Sequence, residues 1–250
     1  MKKIEDMEAA RRAVREKVIV ALDVPTMEEA LGLMDLLQGR ARFFKIGHRL
    51  FTRYGPRILE ACEDRDVEIF LDLKLYDIPS VVGDACAHIS GHESVFMTTV
   101  HASGGPEMVE AAVEGVQRGR SRRPVQVIAV TALTSFSDND LPQIGVSMRL
   151  QDWAVRLAES ALGAGADGLV SSAREVPSFR ESYGADPILV TPGIRLKNVA
   201  IAGDDQQRID TPGRTLARGS SMLVVGRPIY QAPDPVEVIE VIAESILEES

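Results

Sequence analysis

Cysteine is nearly missing from this chain of 250 residues, which carries two, Cys62 and Cys86. Each lies in an apolar stretch of helical appearance with no second cysteine at metal-ligand spacing, so both read as buried reduced thiols. Histidine is scarce as well, at four residues: His48, His88, His92 and His101. His88 and His92 stand one helical turn apart with no third ligand near them in sequence, which argues against a protein-held zinc. No apolar run approaches the roughly 18 residues of a membrane span. The start, Met1-Lys2-Lys3-Ile4-Glu5-Asp6, continues into Glu8, Arg11, Arg12, Arg15 and Glu16 where a secretion signal would have an apolar core. A cytoplasmic protein with no membrane partner is the expectation, with residues 1–16 as an extra charged helix.

Positive charge is also in deficit. Against 37 acidic residues there are 28 Lys and Arg, a formal net charge of -9, which argues against a nucleic-acid surface as partner. A local cationic pocket for a phosphorylated small molecule stays compatible with that balance. No Gly-x-Gly-x-x-Gly follows the first strand-like run; Ala21-Leu22-Asp23-Val24-Pro25 stands there, which lowers the case for a dinucleotide fold. No Pro/Gly/Ser-rich linker divides residues 1–250, so one domain is expected.

What the chain does have is a beat. Short apolar runs at 18–22, 43–46, 69–73, 95–100, 125–130, 168–171, 188–191 and 222–225 read as eight strands. Between them lie stripes of three-and-four spacing, such as Leu150, Trp153, Leu157 and Ala161, or Met108, Val109, Ala112, Val113 and Val116, and the last is Ile239, Ile242 and Ile246. Eight strand–helix units of this length predict an α/β fold, a closed (β/α)8 TIM barrel with an extra N-terminal helix; a doubly wound open sheet is the runner-up.

Such barrels carry their sites at the carboxyl ends of the strands. Polar residues collect there: Asp23, Lys45, Asp72 and Lys74, His101 and Ser103, Thr131, Thr134 and Ser135, Thr191 and Arg195, and Arg227. Two long connections, about 135–149 and 193–210, are candidates for a lid.

The densest chemistry is Asp72-Leu73-Lys74-Leu75-Tyr76-Asp77-Ile78-Pro79. Strand alternation puts Asp72 and Lys74 on one face and Leu71, Leu73 and Leu75 on the other. With Asp77, and with Lys45 from the neighbouring strand, they would form an alternating array in which opposite charges about 4 Å apart attract by roughly 4 kcal/mol at an effective dielectric near 20. A buried ion network that merely specifies the barrel is the alternative, and such networks are weak evidence for stability. Asp77 lies past the strand end, with Pro79 suited to the first turn of the next helix; spacing leaves open whether it caps that helix or reaches across a dimer interface. After the eighth strand, Gly226 permits close backbone approach and Arg227 can fork onto oxyanions, a phosphate candidate.

Together these segments resemble the orotidine 5'-phosphate decarboxylases in their bacterial form. The matching stretches are Ala21-Leu22-Asp23, Phe44-Lys45-Ile46-Gly47, the Asp72 to Pro79 signature, Val100-His101-Ala102-Ser103-Gly104-Gly105 and Val130-Thr131-Ala132-Leu133-Thr134-Ser135. Val190-Thr191-Pro192-Gly193-Ile194-Arg195, Asp205-Gln206-Gln207-Arg208 and Val225-Gly226-Arg227-Pro228-Ile229 complete the order. The resemblance implies a cofactor-free and metal-free carboxy-lyase of pyrimidine nucleotide biosynthesis, converting orotidine 5'-monophosphate to uridine 5'-monophosphate and CO2. It implies Lys74 as proton donor, Asp72 beside the substrate carboxylate, Lys45 tying the array and contacting ribose, and Asp77 supplied by the partner of a homodimer. Asp23 would bind ribose, Thr134 and Ser135 would lie by the pyrimidine, and Arg195, Gln206, Gly226 and Arg227 would hold phosphate, with 193–210 as the lid. Two alternatives are a magnesium-dependent sugar-phosphate decarboxylase or aldolase on the same barrel, separable by chelator sensitivity, and a non-catalytic nucleotide-binding barrel.

One position departs from the pattern. The family usually has Asp-Ile-Pro-x-Thr, its threonine contacting the partner site's ribose, whereas this chain has Val81. Loss of a neutral hydrogen bond costs about 0.5–1.5 kcal/mol, so weaker binding or slower turnover is expected with activity retained. Val81→Thr is therefore expected to raise catalytic efficiency by about two- to tenfold in steady-state assays; no gain would count against this account.

Overall fold

The computed structural model describes residues 2–119, 123–196 and 210–249. Its strands are β1 (Val18–Ala21), β2 (Phe43–Gly47), β3 (Glu68–Leu75), β4 (Val95–His101), β5 (Gln126–Val130), β6 (Gly168–Val170), β7 (Ile188–Thr191) and β8 (Met222–Val225). Each pairs in parallel with the next, and β8 returns to β1 through Val18↔Leu223, Ile19↔Val224 and Val20↔Val225. The result is a closed (β/α)8 TIM barrel.

Alternation divides the strands into two apolar surfaces. Ile19, Ala21, Phe43, Phe70, Met97, Ile128, Val190, Met222 and Val224 point inward and fill the barrel. Val18, Val20, Phe44, Ile46, Ile69, Leu71, Leu223 and Val225 point outward under the helices, as expected where a parallel sheet is covered on its outer face and packed within. Because the strands are parallel, every inward residue one step beyond the apolar filling lies at the same rim, which is where the chemistry collects.

Helix starts follow local rules. Thr26 accepts the Glu29 N–H at 3.2 Å and donates to Glu29 Oε1 at 3.1 Å, a capping arrangement that opens Met27–Leu36. Proline opens Pro79–Ile89 and Pro106–Arg118, where its missing N–H costs nothing. Cys62 and Cys86 lie buried on Arg57–Glu63 and Pro79–Ile89, and burial pushes both thiols up to about 12.

The N-terminal helix spans Lys2–Lys17 and runs straight into β1 at the barrel end opposite the rim. It packs on the last helix, Pro235–Glu249, with Arg11 Nε 2.8 Å from Glu240 Oε2. Its buried face is Ala10 and Val14, with Met7 partly buried, while Ile4 is exposed.

Seven of the eight strands begin and end within one residue of their expected limits, and β7 and β8 coincide with them. The longest disagreement is β3, which runs to Leu75 and not Leu73. Leu75 rejoins the ladder opposite Val100 after a register shift, so the charged residues belong to the strand itself. The connection 135–149 is braced internally: Asp140 accepts from Ser137 N and Oγ, both at 2.7 Å, and Asp138 caps Leu150 N at 2.6 Å.

Candidate active site

At the carboxyl rim a cavity of about 330 Å³ opens, within the usual size range of small-molecule sites. Asp23 reaches it from just past β1, Lys45 from β2, Asp72 and Lys74 from β3, Thr134 and Ser135 from beyond β5, Arg195 from beyond β7, and Gly226 and Arg227 from beyond β8. Residues separated by as much as 200 positions meet because parallel strands deliver all their carboxyl ends to one place. Of the residues read as site candidates, Asp77 is exposed outside this cavity and Gln206 lies outside the described residues, as does most of the expected 193–210 lid.

The charged array is contiguous. Lys74 Nζ lies 2.8 Å from Asp72 Oδ1, Lys45 Nζ 3.5 Å from Asp72 Oδ2, and Lys45 Nζ 3.3 Å from Asp23 Oδ1. Lys45 and Asp72 are each 8% exposed, so neither charge can rely on water. Burial raises the Asp72 carboxyl, but Lys45 and Lys74, with hydrogen bonds from Lys74 and Thr99, outweigh it and hold the group below the usual carboxylate range. Burial likewise lowers the Lys45 ammonium, yet Asp72 and Asp23 outweigh it and hold the amine above its ordinary range. Gly47 leaves the room this needs: a Cβ there would come within 3.0 Å of Lys45 Nζ and 3.5 Å of Asp23 Oδ1.

The guanidinium side chains of Arg195 and Arg227 line the same cavity, reaching it from beyond β7 and β8. The backbone beside Arg195 is tied to Asp210, since Ile194 bridges Asp210 and Arg195 N donates to Asp210 O at 3.0 Å. Asp210 in turn pairs with Arg218 and, at 3.7 Å, with Arg214. Gly226 is packed closely, a Cβ there meeting Ala21 Cβ at 3.3 Å and Tyr230 Cε1 at 3.5 Å. A carboxylate–ammonium array and two guanidinium groups lining one cavity suit a ligand with an anionic tail and a reacting centre that gains negative charge.

Several rim residues have other duties. Thr131 Oγ1 donates to Val170 O at 3.1 Å and Thr191 Oγ1 shares a 2.7 Å hydrogen bond with Ser220 Oγ, so both are fully buried strand pins outside the cavity. His101 Nδ1 lies 2.8 Å from Ser103 Oγ, and its ring meets Tyr76 edge-on at 5.9 Å; burial, and then Lys74, push it below its ordinary range. Asp77 Oδ1 accepts from Ile78 N at 2.7 Å, a contact that precedes the helix Pro79–Ile89 and does not cap it, and the residue stays exposed. Tyr230, on the short helix Arg227–Tyr230, lines the cavity and escaped the reading from strand ends because it comes from the helix after the strand. Burial, followed by Asp23, raises its phenol.

Removing the shared counter-ion tests the array. Asp72→Asn is expected to lower the unfolding free energy by about 3 kcal/mol at pH 7, because Lys45 and Lys74 lose the charge between them. The folded value of Asp72 lies below the unfolded one, so its contribution is complete above roughly pH 4 and disappears as pH falls through the folded value. Lys45 behaves oppositely, contributing fully below about pH 10 and losing it as pH rises through its raised folded value. Urea denaturation of both proteins should show a gap that persists down to about pH 4 and closes below it.

Comparison with known proteins agrees with this geometry. The profile of the orotidine 5'-phosphate decarboxylase / HUMPS family matches residues 16–242. Orotidine 5'-phosphate decarboxylase of Legionella pneumophila is 43% identical over 230 residues, covering 92% of this chain and 99% of that protein. The protein of the same name from Neisseria meningitidis is 44% identical over 225 residues, covering 90% of each. The crystal structure of orotidine 5'-phosphate decarboxylase from Lactobacillus acidophilus superposes with a TM-score of 0.81 at 33% identity, covering 92% of this chain and 99% of that one. With its barrel, its charged rim and these likenesses along nearly its whole length, the chain belongs to the orotidine 5'-phosphate decarboxylase / HUMPS family.

Proposed function

We propose that this protein is a carboxy-lyase that converts orotidine 5'-monophosphate to uridine 5'-monophosphate and CO2 in pyrimidine nucleotide biosynthesis. The observation that carries the reading is Asp72 set between the ammonium groups of Lys45 and Lys74 on the wall of a cavity that Arg195 and Arg227 also line.

Breaking the bond from C6 of the pyrimidine to its carboxylate leaves an electron pair on C6, in an orbital poorly placed for delocalisation into the ring. Stabilisation must therefore come from preorganised charge at that carbon. Lys74 supplies it and then gives its Nζ proton to C6, regaining a proton from solvent, so that one proton is consumed for each CO2 released. Asp72 sits by the departing carboxylate, where repulsion is relieved as neutral CO2 forms. Lys45 and Asp23 face the ribose, Thr134 and Ser135 the base, and Arg195, Gly226 and Arg227 with Gln206 the phosphate. No cofactor or metal enters these steps. Holding the distant phosphate lowers the barrier where that binding energy is realised in the transition state.

The working unit in this reading is a cytoplasmic homodimer in which Asp77 of each chain completes the site of the other. Its support is that Asp77 is exposed outside its own cavity and is flanked by exposed apolar side chains, Tyr76 and Ile78 at 62% and Val81 at 47%. Contiguous exposed apolar groups beside a charge that chemistry requires are what an interface leaves uncovered in one subunit. Two buried, unpaired thiols accord with a reducing compartment.

Two measurements test this. Orotidine 5'-monophosphate absorbance should change on adding wild-type protein, and Lys74→Ala should lower kcat by at least about 10³-fold, since it removes both the proton and the charge; an unchanging wild-type signal would defeat the assignment. Mixing inactive Lys74→Ala and Asp77→Asn proteins under exchange should restore about one quarter of wild-type activity, because half the dimers then hold one intact site. No recovery despite confirmed exchange would put Asp77 outside a shared site.

A further inference from the structure

Between the paired residues Leu71↔Thr98 and Leu75↔Val100, β3 has three residues (Asp72, Leu73 and Lys74) where β4 has one, Thr99. The excess is taken up at Lys74, whose φ of 49° is, among the described residues, the one positive value outside glycine. That conformation is disfavoured for a side chain with a Cβ, and such strain persists only where the surroundings over-determine it. At Lys74 the surroundings are a hydroxyl. The Lys74 N–H, displaced from the strand ladder, donates to Thr99 Oγ1 at 2.8 Å.

The same hydroxyl donates to Asp72 Oδ1 at 3.0 Å, and that oxygen also accepts from Lys74 Nζ at 2.8 Å. The backbone N–H and the ammonium of Lys74 are thus joined through Thr99 Oγ1 and Asp72 Oδ1 in turn. The sense of the ring is fixed by chemistry: an ionised carboxylate can only accept and a backbone N–H can only donate, so the threonine hydrogen must point to Asp72 and its lone pair to Lys74. Thr99 is fully buried, and a β-branched side chain has a stiff first torsion. Its neighbour Thr98 is equally buried but donates to Leu71 O at 3.1 Å, an ordinary strand pin that does not reach the array.

We propose that Thr99 is the positioning residue of the proton donor. It holds Lys74 in the left-handed conformation that aims Nζ at the reacting carbon and keeps Asp72 Oδ1 turned toward that ammonium. This rests on the assignment of Lys74 as proton donor, and sequence alternation alone does not reveal it, because the bulge exists only through the pairing with β4.

The test compares kcat and KM for wild type, Thr99→Val, Thr99→Ala, Thr99→Ser and Thr98→Val, with folding checked by circular dichroism. Thr99→Val, or Thr99→Ala if valine prevents folding, is expected to lower kcat by about 100-fold, the scale of a small misplacement of a reacting group. KM should stay within about threefold, because the missing contact acts on the reacting centre rather than on substrate affinity. Thr99→Ser, which keeps both hydrogen bonds, should stay within about tenfold of wild-type kcat, and Thr98→Val should match wild type. Wild-type kcat in the valine or alanine protein, an equal loss in Thr98→Val, or a serine protein as slow as about 100-fold below wild type would overturn the proposal. A wild-type protein that leaves orotidine 5'-monophosphate unchanged would instead reject the functional reading on which it rests.

Discussion

The site depends on one buried carboxylate serving two ammonium groups. Asp72 is almost out of reach of solvent, and so is Lys45; without one another each would shed its charge, since an isolated buried ion is far more expensive than its neutral form. Asp72 accepts from Lys74 and Thr99 on one oxygen and faces Lys45 on the other, and Lys45 spans on to Asp23. Such a network contributes little to stability compared with an apolar filling of the same volume. Its maintenance across β1, β2 and β3 is better understood as preorganisation, in which charges are already fixed where negative charge will appear.

The barrel makes that arrangement tolerable. Beneath the array the interior is filled by Phe43, Phe70, Ile19, Met97 and Ile128, which exclude water from below. In so enclosed a place a carboxylate and an ammonium interact more strongly than in water, by the same reduction of dielectric that makes their burial expensive. Arg195 lies just past β7 and Arg227 opens the short helix after β8, where backbone can be shaped around a ligand without disturbing the filled interior.

Much of this was legible in the sequence because parallel barrels translate strand ends into site positions. Asp23, Lys45, Asp72, Lys74, Thr134, Ser135, Arg195, Gly226 and Arg227 could all be read from where an apolar run stops, and all line the cavity. The same rule put forward Thr131 and Thr191, whose hydroxyls are instead spent between strands; polarity at a strand end does not reveal whether a partner strand already uses the group. Tyr230 was hidden for the reverse reason, since it enters from the helix after the strand. Thr99 lies in the middle of an apolar strand, where threonine is unremarkable until the ladder across from it is known. The fold was more legible than the site, because periodicity is local and hydrogen-bond partners are not.

The irregularity in β3 also governs which charges the chain keeps and which it sends away. With uniform pairing, a strand of this length would carry Asp72 and Lys74 inward by alternation and leave Lys74 N bonded to backbone. Instead the extra residues put Lys74 in the left-handed region and return Leu75 to the ladder opposite Val100. Leu73 and Leu75 still pack outward under the helices, so the bulge is bounded by apolar anchors on the outer face and by Thr99 on the inner one. Past Leu75 the chain leaves the sheet at once, and Tyr76, Asp77 and Ile78 are exposed before Pro79 starts the next helix. Two charges face the chain's own cavity and the third, three residues after Lys74, faces out. A deletion within 72–74 that restored regular pairing would therefore shift Asp77 as well as Lys74, which couples the inward proton donor to the outward carboxylate through the backbone that connects them.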